Sequence, residues 1–163
     1  MVRSVSVRLF AVVVAAGSLL VVSAAPALAA PKVACSKATF KSDNTKKTST
    51  SVISQCTNTA VSGGGAKLVA NFANLNKITA KITWNGGKGV TSYTVTQKGG
   101  PASANKCKLT NGKKDALIVS TGKFVSGTGA AGKALKGLVY KESLCVPPSL
   151  ALYLNPGSKI TFG

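Results

Sequence analysis

Two short patterns in this 163-residue chain carry the residue types of covalent hydrolysis. Ser103-Ala-Asn-Lys106 matches S-x-x-K, in which a lysine amine can take the proton of a serine nucleophile, and Ser42-Asp-Asn44 matches S-D-N, a second element of the same acyl-transfer chemistry. The context does not sustain the match. S-D-N precedes S-x-x-K, the accompanying Lys-Thr-Gly is absent, and Ser103 lies in a loop flanked by Pro and Gly rather than at a helix start. A histidine-dependent nucleophile is excluded because the chain has no His. General acid–base work is also poorly supplied, since Asp43, Asp115 and Glu142 are the only carboxylates and are scattered. No catalytic residue is assigned, and a Ser/Lys hydrolase is the least favoured reading.

Phosphate and metal chemistry fare no better. Ser62-Gly-Gly-Gly-Ala-Lys67 and Gly127-Thr-Gly-Ala-Ala-Gly132 are glycine-rich, and the second contains G-x-G-x-x-G, but neither has the strand-then-helix setting of a phosphate loop. A bend in a sheet is the expected use of the second. Cys35, Cys56, Cys107 and Cys145 show no C-x-x-C spacing and no His to help them, so neither a metal nor a cofactor is expected. Four cysteines in an oxidising compartment read instead as two disulfides. Three connectivities are possible; Cys35–Cys56 and Cys107–Cys145 are favoured, because each pair is nearest in sequence and can join the ends of neighbouring strands. Cys145-Val-Pro-Pro148 also offers a rigid loop beside a disulfide. The segment Cys145 to Leu150 is therefore the alternative functional element, an inhibitor or effector loop presented to a protease.

Charge supplies the one positive inference about partners. Arg3 and Arg8 are the only arginines and lie in the N-terminal segment, so beyond it basic charge comes from lysine alone. The 19 lysines against three carboxylates give +16, a field that attracts cell-wall polymers, anionic lipid headgroups or nucleic acid weakly and in a salt-sensitive way. Without Arg for bidentate contacts, sequence-specific nucleic-acid recognition is not expected. Lys77, Lys81 and Lys88 are the candidate anion contacts, as they accompany the clearest strand pair in the chain. Solubility and protection of exposed strand edges are the competing use of the same lysines.

The elements that must position these groups are strands. Lys77 to Trp84 alternates Ile78, Ala80, Ile82 and Trp84 with polar residues, Asn85-Gly86-Gly87 supplies turn positions, and Val90 to Gln97 resumes a Thr/Tyr/Val strand. Whether the turn centres on Asn85-Gly86 or Gly86-Gly87, Tyr93 and Val95 share the face of Ile82 and Trp84, because the two registers differ by an even step. Further strands are expected at 37–41, 51–56, 66–72, 116–120, 133–141 and 158–162, with Ser62 to Gly65 a flexible break and Leu150 to Leu154 a buried run. A helix over 130–139 competes with the strand at 133–141, as Ala131, Leu135 and Leu138 fall near helical spacing, but Gly132 and Gly137 disfavour it. The sequence predicts an all-β fold, an antiparallel sandwich or barrel of about 8–10 short strands with two disulfides.

Ahead of these strands, Arg3 and Arg8, an apolar run from Leu9 to Val22 and the small-residue site Ala27-Leu28-Ala29 read as a cleaved secretory signal over residues 1–29. Residues 30–163 then form a single secreted domain without a transmembrane segment, extracellular or associated with the cell wall.

The order of parts resembles a group of small secreted β-rich actinobacterial proteins of unknown function. The likeness rests on Cys35 and Cys56, the strand Ile82-Thr-Trp84 with its Asn-Gly turn, Thr121-Gly-Lys-Phe124 leading into Gly127-Thr-Gly129, the late Cys145 and a closing Gly-Ser-Lys-Ile-Thr-Phe strand. It implies a disulfide-stapled extracellular β domain, and no activity comes with it. The expected function is a secreted non-enzymatic domain that engages anionic envelope polymers through surface lysines.

Overall fold

The computed structural model describes residues 32–74 and 77–163; the signal segment 1–29 lies outside the described residues. Eleven strands and two short helices follow in order: β1 (Val33–Asp43), β2 (Thr48–Cys56), α1 (Thr59–Ser62), β3 (Gly65–Asn71), β4 (Ile78–Trp84), β5 (Gly89–Gly99), β6 (Leu109–Thr110), β7 (Lys113–Lys114), β8 (Ala116–Gly127), α2 (Gly129–Ala134), β9 (Val139–Val146), β10 (Tyr153–Leu154) and β11 (Ile160–Phe162). Eight of them close an antiparallel barrel in the ring order β1-β2-β3-β4-β5-β8-β9-β11 and back to β1. The open choice between sandwich and barrel is thereby resolved, and closure removes most of the free edges an open sheet would present.

The β4–β5 hairpin has the predicted face. Trp84 pairs with Gly89, Ile82 with Thr91, Ala80 with Tyr93 and Ile78 with Val95, which centres the turn on Gly86-Gly87. Strict alternation makes every second residue of β4 buried and the others exposed. Trp84 and Thr91 are both buried, and the indole Nε1 donates to Thr91 Oγ1 at 3.0 Å, so burying that polar N–H costs little.

Both disulfides have the expected pairing. Cys35 and Cys56 face each other across the β1–β2 ladder, and Cys107 bonds to Cys145 on β9. The second bond fastens the segment between β5 and β8 to the outer face of β8 and β9. There Cys107, Leu117 and Cys145 form a small apolar cluster of their own, with Tyr153 packed on it.

The two ends of the barrel differ. At one end α1 and α2 lie over the opening, burying Val61, Ala131 and Leu135 against the core. Here the structure departs from the expected strand over 133–141 and the expected flexible break at 62–65. A Cβ on Gly132 would sit 2.3 Å from the carbonyl carbon of Gly127, so these two backbones touch and only glycine allows it. That contact seats α2 at the end of β8 and delays β9 until Val139. The G-x-G-x-x-G pattern is thus a packing device.

The other end carries the connections β1–β2, β3–β4, β5–β8 and β9–β10, and among the described residues no α-helix covers it. Leu150 to Leu154, expected to be buried, runs along this end with Leu150 46% exposed at φ 58°, because only Tyr153 and Leu154 join the sheet.

Candidate functional site

Along the strands, inward positions change character towards the open end. On β2 the inward series runs Ile53, Ser51, Ser49; on β5 it runs Tyr93, Val95, Gln97; on β9 it runs Tyr140, Glu142, Leu144. The helix-covered end is therefore filled by aromatics, and the open end is not filled. Trp84, Tyr93 and Tyr140 converge on Phe162 with ring centroids 5.0, 5.9 and 5.4 Å away, which packs the lower barrel solid. Above them lies a cavity of about 310 Å³. That volume is at the lower end of the range found for small-molecule sites.

The cavity wall is mostly apolar, with Phe40, Leu68, Ile78, Ile118 and Leu144 contributing from five different strands. Past Cys35 no ladder joins β1 to β9 or β10 among the described residues, and Phe40, Leu144, Leu150 and Leu152 line the cavity beside this parting. The Cys145 to Leu150 segment, read from the sequence as a presented loop, places Val146 and Leu150 in that wall.

Across one side of the cavity runs a polar row, from exposed Gln97 to buried Glu142. Gln97, Ser120 and Glu142 are direct cross-strand neighbours on β5, β8 and β9. Gln97 Nε2 donates to Ser120 Oγ at 3.3 Å, and the hydroxyls of Tyr140 and Ser120 hydrogen-bond the Glu142 carboxyl. Glu142 is 8% exposed, and burial holds its pKa above the ordinary value of 4.5 despite those two hydrogen bonds, which act the other way. The Tyr140 hydroxyl stays protonated, its pKa raised first by burial and then by Glu142. Among the described residues the only ion pair joins Lys46 to Asp43, on the rim, so the carboxyl has neutral partners alone.

A stability experiment follows from that arrangement. Below pH 4.5 both folded and unfolded chains hold the Glu142 proton; above it the unfolded chain releases the proton first, so this group lowers stability progressively until the raised folded pKa is passed. Urea unfolding should accordingly show Glu142→Gln equal to wild type in acid and more stable at neutral pH. The gap should be about 1.4 kcal/mol for each unit by which burial displaces the carboxyl. A variant that is less stable at neutral pH would mean the carboxylate is stabilised by something other than these hydroxyls.

The residues singled out in the sequence are dispersed. Lys77 sits at the rim of the open end, Lys81 on the outer wall, and Lys88 in the turn at the helix-covered end. The seven residues of β4 separate the first from the last by roughly 23 Å, so the three do not form one patch. Elsewhere on the wall each lysine faces a neutral residue across its ladder: Lys67 opposes Val52 and Thr83, Lys81 opposes Val69 and Ser92, Lys123 opposes Thr94 and Val139. Like charges are kept apart, which spreads the field instead of focusing it. Ser103, in a single turn of 3-10 helix at 102–104, is exposed and Lys106 is exposed too; Ser42 lines the cavity without either of them.

No family model, curated protein or solved structure matches the chain. What the site can do must be read from its own chemistry. It offers a mostly apolar chamber and one buried carboxyl with hydroxyl and amide neighbours. Small-molecule sites in general combine such an apolar wall with a few polar groups that fix orientation. Glu142 carried a signal in the sequence, since Tyr140, Glu142 and Leu144 are alternate residues of one strand; an acid on an inward face is the feature that a count of carboxylates passes over.

Proposed function

We propose that this protein is a secreted, non-enzymatic binding barrel that takes a small apolar molecule into its open end. The observation that supports it is the asymmetry of the barrel, with one end covered by α1 and α2 and the other holding a cavity of about 310 Å³ over a buried carboxyl. Export is supported by the signal-like segment 1–29 and by two disulfides, which persist in oxidising compartments. No helix among the described residues is long and apolar enough to cross a membrane.

The test is a titration with N-phenylnaphthylamine, a neutral dye that brightens in apolar surroundings. Emission should rise and saturate at one dye per protein. Ala70→Trp, which places an indole in the chamber, should weaken binding by about tenfold or more while leaving the melting temperature close to wild type. Dye binding that survives both Ala70→Trp and Ile118→Trp would place the dye elsewhere and remove the reading.

The lysine coat has a separate role in this proposal. At +16 the protein is held loosely near anionic wall polymers or lipid headgroups, within a screening length of about 8 Å at physiological salt. The even spread of lysines around the wall supports a general attraction without a dedicated polymer groove. Co-sedimentation with purified cell wall should match that of lysozyme, used as a charge control, and fall as salt is raised. Retention well above lysozyme at high salt would point to a specific wall ligand.

A further inference from the structure

The cavity is lined by a single ionisable side chain, and its charge is opposite in sign to that of the protein. Of the residues in its wall only Glu142 is ionisable, and none of the 19 lysines reaches it. Of the other two carboxylates, Asp43 is on the rim with Lys46, and Asp115 accepts a hydrogen bond from the Tyr153 hydroxyl at 2.8 Å in the outer cluster. Glu142 is left as a carboxyl more than nine-tenths buried, facing an apolar chamber, with two hydroxyls where a buried acid ordinarily has a cation or several donors.

We infer that the cavity takes an aliphatic amine, its ammonium seated on the Glu142 carboxylate and its hydrocarbon against Phe40, Leu68, Ile78 and Leu144. This rests on the binding-barrel reading above and adds the chemical class of ligand. An ammonium brings three donors and the missing countercharge to a carboxylate that has spare lone pairs. A carboxylate ligand would put two acids in one desolvated site, which repel each other. An alcohol of the same length would fill the chamber but supply one donor and no charge. Gln97, at the lip beside Ser120, offers an amide to the same polar end. The elevated carboxyl pKa agrees with this arrangement, because an incoming cation supplies the charge stabilisation that the protein withholds.

The lysine coat repels a cation at long range, and that gives the inference a distinctive signature. Added salt screens the repulsion from the surface before it weakens the pair inside the barrel. Amine affinity, measured relative to the neutral alcohol, should therefore rise with salt, whereas polyanion attraction falls.

The experiment is calorimetric titration of the full secreted chain, disulfides intact, with octylamine, octanol and octanoate at neutral pH. Octylamine should bind about thirtyfold or more tighter than octanol, with octanoate the weakest. In Glu142→Gln that preference should shrink to a few-fold, through loss of amine affinity. Octanoate or octanol binding as tightly as octylamine to wild type, or an amine preference that survives Glu142→Gln, would overturn the inference and leave the binding barrel standing. Failure of all three probes, together with failure of the neutral dye, would remove the barrel reading and the inference with it.

Discussion

Phe162→Ala should destabilise the protein by about 3–5 kcal/mol, although the residue belongs to a strand of only three. Phe162 is fully buried and is the common neighbour of Trp84, Tyr93 and Tyr140, so truncation opens a void where three rings meet. It also loosens the clasp of the barrel. β11 is the strand between β1 and β9, pairing Val33 with Phe162 on one side and Tyr140 with Phe162 on the other. Leu109→Ala, which removes a side chain 69% exposed, is the matched control and should change stability by less than about 0.5 kcal/mol. Urea unfolding followed by Trp84 fluorescence reads both. A loss below about 1 kcal/mol at Phe162 would mean the aromatic cluster repacks and β11 is not what holds the ring shut.

The second large effect is expected from the outer disulfide. Replacing Cys107 and Cys145 together by Ser frees a loop with a sequence separation of 38, which costs roughly 4 kcal/mol in the chain-entropy model. The Cys35–Cys56 pair, separated by 21, should cost roughly 3 kcal/mol. The two losses should also differ in kind. Cys107 and Cys145 tether the segment 100–115, whose other holds are polar: Asn155 accepts from the Lys106 backbone N–H and donates to the Ala104 carbonyl, both at 3.0 Å. Without the bond the segment is held by hydrogen bonds, these two together with those of the Tyr153 hydroxyl to the Lys108 N–H and Asp115 and of the Gly100 N–H to the Leu117 carbonyl, over the small cluster of Leu117 and Tyr153. Hydrogen exchange in the Cys107→Ser, Cys145→Ser variant should therefore speed up first at 100–115 while β4 and β5 keep their protection. A uniform loss across both regions would show that the segment is integral to the barrel.

Much of this architecture was legible in local pattern. The even-step argument placed Tyr93 and Val95 on the Ile82 and Trp84 face before the turn was known, because a period of two leaves no other choice. The cysteine pairing was legible for a related reason, as Cys35 and Cys56 end two consecutive antiparallel strands. Closure was not legible. Nothing in Val33–Cys35 or Ile160–Phe162 taken alone announces that they pair, since that choice depends on how six intervening strands curl. A helix over 130–139 is the competing reading of that stretch, and its glycines weigh against it, since they lower helix propensity yet are required where Gly132 meets Gly127. The site was half visible. Alternation shows that Glu142 points with Tyr140 and Leu144, but a carboxyl becomes a binding feature only when the strands around it leave a space, and residue volumes across a barrel are not read from one strand.

The pairing of β1 with β11 also governs when the molecule can finish folding. Chain synthesis proceeds from the first strand to the last, so the edge of β1 that faces β11 waits without its partner while every other strand is added. Such a high contact order slows folding, since nearly the whole chain must be gathered before the closing contacts return any free energy. During that wait the molecule is an open, curled sheet with two sticky borders. The lysines spread over the wall give every copy the same charge, and like charges repel.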